Sequence, residues 1–163
     1  MIDNALISLA QEVQRLFIAK NLTLATAESC TGGLLGAVIT AVPGSSKYYF
    51  GGAVVYANEA KEILTDIDKD LLLKKGAVSP EVAQGLALGI KNKLKTTVGA
   101  GITGIAGPSG GTPDKPVGLV YIGIATVREV KAFKYQFNGD RQKIRTQTVE
   151  EALKLLIQNC FDN

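Results

Sequence analysis

The amino-acid sequence predicts an α/β fold, a three-layer α/β/α sandwich with a mixed central sheet. Three observations point there. Segments of helical periodicity alternate with short apolar, strand-like segments along the 163 residues. One of the latter, residues 117–127, is apolar on both faces, as a strand covered from both sides is. The composition, 46% hydrophobic and 20% charged, is that of an ordinary globular chain. A chain of this size buries roughly two-thirds of its unfolded surface and needs no disulfide staples. A single domain over residues 1–163 is expected.

The elements follow in order. Leu6, Leu9, Ala10, Val13, Leu16 and Phe17 recur at helical spacing, so residues 4–20 form a helix. Asp3, Glu12, Arg15 and Lys20 make that helix amphipathic, and neither a signal peptide nor a membrane span. Residues 22–27 alternate and read as a strand. Residues 32–42 form a small-residue helix closed by Pro43-Gly44. Residues 50–56 are a strand with Gly51-Gly52 near its start, after which Asn58 is expected to cap a helix containing Glu59, Lys61 and Ile63. Ser79-Pro80-Glu81 supplies a cap, a proline at the first helical position and an acid in the first turn, so a helix runs from there to about Lys95. Residues 97–103 form a strand. Residues 104–116 hold four glycines and three prolines and form a loop. Residues 117–127 form a further strand, residues 130–137 alternate and lie nearer an edge, and Asp140 opens a last helix reaching about Cys160.

Composition excludes several function classes. The net charge of +3 is small and dispersed, which argues against a nucleic-acid partner. Lys91-Asn92-Lys93-Leu94-Lys95 reads as the solvated C-terminal end of a helix. The two cysteines, Cys30 and Cys160, match no metal-binding spacing, and the chain has no histidine, so neither a metal nor a redox cofactor is expected. The protein reads as cytoplasmic and reduced, with no membrane partner. The missing histidine also removes Ser-His-Asp and Cys-His nucleophile systems, leaving lysine as the usual substitute base.

Glu28-Ser29-Cys30-Thr31-Gly32-Gly33 is the most informative run, because it sits at a strand-to-helix junction. Side chains there are exposed at the end of a sheet, and free backbone N–H groups point at whatever binds. Two other junctions follow strands: Tyr56 to Lys61 and Thr103 to Gly111. Ligands of α/β sheets gather at such carboxyl ends, so the three are candidates to converge. Ser29 is a candidate nucleophile, and also simply a helix cap. Cys30 reads better as a small buried hydrophobe. Lys61 falls in the first turn of its helix, where the dipole disfavours a cation, and partial burial would lower its pKa toward that of a general base. Tyr56 is placed to bond the base or the substrate. Tyr121, within a strand, reads as structural. Thr103-Gly104-Ile105-Ala106-Gly107-Pro108-Ser109-Gly110-Gly111 suits a ligand-cradling loop but lacks the ending of a Walker A motif. Arg141 and Arg145 lie one helical turn apart and suit a phosphate or carboxylate.

Taken together these blocks resemble the C-terminal domain of the competence/damage-inducible protein CinA and its stand-alone relatives, the nicotinamide mononucleotide deamidases. The matching stretches are residues 27–33 (Ala-Glu-Ser-Cys-Thr-Gly-Gly), 43–46 (Pro-Gly-Ser-Ser), 51–61 (Gly-Gly-Ala-Val-Val-Tyr-Ala-Asn-Glu-Ala-Lys) and 76–79 (Gly-Ala-Val-Ser). Residues 103–108, 110–118 and Gly139-Asp140-Arg141 complete the set, in the family's order across nearly the whole chain. The resemblance implies a homo-oligomer, a dimer being favoured, and a small nucleotide substrate. It implies hydrolysis of the carboxamide of nicotinamide mononucleotide to nicotinic acid mononucleotide and ammonia. Ser29 falls on the nucleophile, Lys61 on its base, and Tyr56 and Thr103 on assisting residues. Cys30, Thr31, Gly32, Gly33, Gly104, Ala106 and Gly107 fall on the substrate loops. An arginine of the last helix binds substrate, a role that Arg141 and Arg145 fit equally in sequence. Neutral Lys61 would take the Ser29 proton, N–H groups at the start of the following helix would meet the oxyanion, and water would cleave the acyl-enzyme. A non-catalytic nucleotide-binding module, or a Ser-Lys hydrolase of another small amide, is the alternative. The family's larger members carry an N-terminal domain that these residues do not match, so its nucleotide-sugar hydrolysis is not expected here. The sequence departs from the family at Thr65-Asp66-Ile67-Asp68, where a Leu-Gly-Val turn is usual.

Overall fold

A computed structural model describes residues 1–160. Six α-helices and five strands follow one another as α1 (Asn4–Ala19), β1 (Leu24–Glu28), α2 (Leu34–Thr40), β2 (Tyr49–Val54), α3 (Asn58–Thr65), α4 (Lys69–Lys75), α5 (Pro80–Leu94), β3 (Val98–Gly104), β4 (Leu119–Ala125), β5 (Val130–Gln136) and α6 (Arg141–Asn159). The strands form one sheet in the order β2-β1-β3-β4-β5. β1 runs parallel to both β2 and β3, whereas β4 is antiparallel to β3 and to β5. The sheet is therefore mixed, and residues 130–136 do lie at an edge.

Helices cover both faces. α1, α2 and α6 pack on one, through a core that includes Leu6, Phe17, Leu35, Ile39 and Leu153. The other face carries α5, with α3 and α4 against it, around Ala27, Val55, Ile67, Val82 and Leu86. α5 lies close because Gly101 and Gly123 oppose each other on β3 and β4; a Cβ on either would run into the α5 backbone at Ala83 or Ala87.

Local chemistry explains most boundaries. Asp3, Asp68, Ser79 and Asp140 each cap the helix that follows by accepting a backbone N–H. Asn58 does not cap α3. The chain stays extended through Ala57, which takes the cap position, and Asn58 is the first helical residue. α2 is shorter than expected, because Gly32 and Gly33 adopt positive φ before it. α4 and a 3₁₀ turn at Ser45–Lys47 were not expected from sequence. Among the described residues, no helix is long and apolar enough to cross a membrane.

Candidate active site

The order β2-β1-β3 sends the chain to opposite sides of β1, so a crevice opens at the carboxyl ends of these three strands. Ser29 is the first residue past β1. Its N–H donates to Ile102 O on β3 at 3.0 Å, and the preceding Glu28 O accepts from Val55 N at 2.8 Å. The backbone that carries the hydroxyl is thus pinned to both neighbouring strands. Beyond it the chain buckles through Gly32 (φ 59°) and Gly33 (φ 97°) into α2, a path that side-chain-bearing residues rarely adopt.

Lys61 reaches Ser29 from the opposite side. It lies on the inner face of α3, only 1% exposed. Its Nζ is 2.9 Å from Val55 O, 3.2 Å from Tyr56 O and 3.2 Å from Ser29 Oγ. No carboxylate among the described residues forms an ion pair with it. Burial pulls its pKa below the ordinary lysine value, outweighing the opposing electrostatic effect of the neighbouring Cys30. The three contacts also match a neutral amine. Two carbonyls can only accept, so they take its two N–H groups, and the remaining lone pair faces the one partner able to donate, the Ser29 hydroxyl. In the ammonium form the same three oxygens accept.

A pocket of about 200 Å³ lies over this pair. It gathers all three junctions: Ser29 and Cys30 from the first, Tyr56, Asn58 and Lys61 from the second, Thr103, Gly104 and Ala106 from the third. Thr103 Oγ1 donates to Ala77 O at 2.6 Å, tying the end of β3 to the segment before α5. Tyr56 is 59% exposed, and its phenol accepts from Arg141 Nη2 at 2.7 Å rather than meeting Lys61, which its carbonyl holds. Arg141 Nη1 donates to Gly107 O at 2.7 Å, so this guanidinium links the second and third junctions at the pocket wall. The Cys30 thiol is buried, which pushes its pKa up to about 12 and keeps it neutral at physiological pH.

Thr31, Gly32, Gly33, Gly107 and Arg145 do not line this pocket. Arg145 Nη2 instead donates to Thr31 O at 2.8 Å. Nor does the start of α2 offer free donors. The N–H groups of Gly33, Leu35 and Gly36 donate to the Glu28 carboxylate, and that of Leu34 to Thr31 O. The loop N–H groups of Cys30 and Thr31 have no backbone acceptor among the described residues. Asn58, Ala77 and Val78 complete the pocket and were not singled out from sequence for that role. The stretch Gly76-Ala77-Val78-Ser79 did carry the signal.

Comparison with known proteins follows the same residues. The CinA C-terminal domain matches residues 6–160. A CinA-like protein of Trichodesmium erythraeum is 49% identical over 157 residues, 94% of this chain and 37% of its own length. One from Geobacter sulfurreducens is 51% identical over 144 residues, 88% of this chain and 35% of its own. The chain therefore spans little more than a third of these relatives. Among solved structures, the competence/damage inducible protein CihA of Agrobacterium tumefaciens superposes with a TM-score of 0.94 at 34% identity, over 97% of each chain. The competence damage-inducible protein A of Klebsiella pneumoniae gives 0.93 at 30% identity, over 96% of this chain and 98% of that one. The chain belongs to the CinA C-terminal domain family.

Proposed function

We propose that this protein is an amidase of the Ser-Lys type that hydrolyses the carboxamide of nicotinamide mononucleotide, giving nicotinic acid mononucleotide and ammonia. The observation that carries the reading is the buried Lys61 amine, 3.2 Å from Ser29 Oγ with both other contacts to carbonyls. A lysine that only held a phosphate would present its ammonium to the ligand, whereas this one is enclosed and its charged form is disfavoured. That favours catalysis over a passive nucleotide-binding role.

The steps follow from these groups. Ser29 Oγ bonds to the carboxamide carbon as its proton passes to Lys61. The oxyanion is met by the loop N–H group of Cys30, which lines the pocket and has no backbone acceptor among the described residues. Lys61 returns the proton to the departing nitrogen, the C–N bond breaks and ammonia leaves. Water then gives a proton to Lys61 as its oxygen bonds to the acyl carbon. The ester breaks, Lys61 returns that proton to Ser29, and the carboxylic acid is released and gives its remaining proton to solvent. A pocket of about 200 Å³ falls below the roughly 300–1,000 Å³ that encloses drug-sized ligands. It takes the amide-bearing ring and leaves the ribose phosphate along the rim, where Arg141 stands. Support for the mononucleotide over other small amides comes from the motif-level resemblance and from this guanidinium.

The test is ammonia release from nicotinamide mononucleotide by the purified protein, with Ser29→Ala as control. Turnover by wild type and none by Ser29→Ala is expected. No release by wild type, with release from another small amide, would reassign the substrate. Equal release by both proteins would remove Ser29 as nucleophile.

A further inference from the structure

We propose that Glu28 is the positioning residue of the site: its buried carboxylate ties the loop that follows into the one shape that presents Ser29 to Lys61. The inference rests on reading Ser29 as the nucleophile. Glu28 is 2% exposed and covalently adjacent to Ser29. Its Oε2 accepts from Thr31 Oγ1 at 2.6 Å, Gly33 N at 3.2 Å and Leu35 N at 3.0 Å, and its Oε1 accepts from Gly36 N at 2.8 Å. A carboxylate has about four acceptor directions, and this one meets four donors, three at Oε2 and one at Oε1. Among the described residues no lysine or arginine forms an ion pair with it. Backbone N–H groups and one hydroxyl hold it through charge-assisted bonds.

The consequence is mechanical. The donors come three, five, seven and eight residues after the acceptor, so residues 28–36 close into a ring through the side chain, with Ser29 inside it. Two positive-φ glycines make this loop soft by itself. Arg145 fixes the loop from the other side by donating to Thr31 O, so Thr31 is held at both its hydroxyl and its carbonyl. Glu28 does not line the reaction pocket. It faces a separate cavity of about 170 Å³, beside Thr26 and Tyr49. It therefore acts on the chemistry only through the loop. It also withdraws the first amides of α2 from any ligand.

The experiment follows covalent labelling of Ser29 by a fluorophosphonate, which needs no knowledge of the natural substrate. Ser29 Oγ bonds to phosphorus, fluoride leaves, and the hydroxyl proton passes to Lys61. Glu28→Gln keeps the shape but sets an NH₂ among donors. It is expected to label at least about tenfold more slowly than wild type, to the same end-point, with KM in turnover within about threefold. A wild-type labelling rate overturns the proposal, and so does a reduced end-point at unchanged rate, which marks a folding role only. If Glu28→Gln is insoluble, Thr31→Val decides. It removes the 2.6 Å bond without touching charge, and is expected to label several-fold more slowly, with Thr31→Ser recovering most of the loss; no slowing by Thr31→Val overturns the proposal. A wild type that takes no probe at Ser29 would sink both this inference and the nucleophile. Labelling without mononucleotide hydrolysis would remove only the substrate assignment.

Discussion

Glu28 and Lys61 approach Ser29 from opposite sides, and both are ionisable side chains with almost no exposure. Neither forms an ion pair among the described residues, yet their surroundings differ. Glu28 meets four donors, three at Oε2 and one at Oε1, all from the loop and helix that follow it. Lys61 meets two carbonyls and a hydroxyl, a set that serves a neutral amine as well as an ammonium, and its burial disfavours the charge. The contrast separates two ways of burying an ionisable group. A carboxylate ringed by donors holds a shape, and a desolvated amine that can shed its proton supplies a base.

The largest expected effect is on that base. Lys61→Arg keeps a cation but cannot supply a lone pair, since guanidinium stays protonated in proteins. Its amidase activity should fall by about three powers of ten or more, roughly 4 kcal/mol of barrier, as removal of a base acting on the nucleophile requires. Near-normal kcat would show that Lys61 serves as a charge. Stability should run the other way. Glu28→Gln should cost about 2–3 kcal/mol in chemical denaturation, the scale of a charge-assisted hydrogen bond lost in a buried site. Lys61→Met should cost less, within about 1.5 kcal/mol of wild type, because the bonds lost to Val55 O and Tyr56 O are offset by no longer desolvating the amine. Lys61 is lowered from 10.5, so between its folded pKa and that value the unfolded chain binds more protons. Wild type should therefore gain stability relative to Lys61→Met as pH rises through this window. Equal losses for the two variants would erase the distinction.

The two arginines sharpen the comparison at the rim. Arg141→Ala should raise KM for the mononucleotide more than for nicotinamide riboside, because only the former offers a phosphate. Arg145→Ala should instead lower kcat on both, because Arg145 holds the Thr31 carbonyl. A phosphate-selective KM effect for Arg145→Ala would reverse the assignment. The smallest effect belongs to Cys30→Ala. Its thiol is buried and held neutral, so most activity should remain, and an inactive Cys30→Ala beside an active Ser29→Ala would name the wrong nucleophile.

Much of this was legible in the residues. The alternation of elements gave the layers, and three glycine- or tyrosine-marked strand ends do meet at one pocket. α4 was missed because Lys69–Lys75 buries only Leu72 and shows no helical stripe, although Asp68 before it is a competent cap. Arg141 and Arg145 were inseparable because both face the same way; where α6 begins, at the Asp140 cap, decides which one reaches the pocket. The ring of donors around Glu28 was hidden because they come together only once the loop has folded. Its sole trace in sequence was an acid ending an otherwise uncharged strand.

The most direct measurement is the pH dependence of fluorophosphonate labelling at Ser29 in wild type and in Lys61→Met. The wild-type rate should climb with pH through a midpoint below 10.5, the ordinary lysine value from which Lys61 is lowered, and that limb should vanish in the variant. A wild-type rate that is flat, or that rises only at or above 10.5, would contradict a neutral Lys61 as the base that activates Ser29.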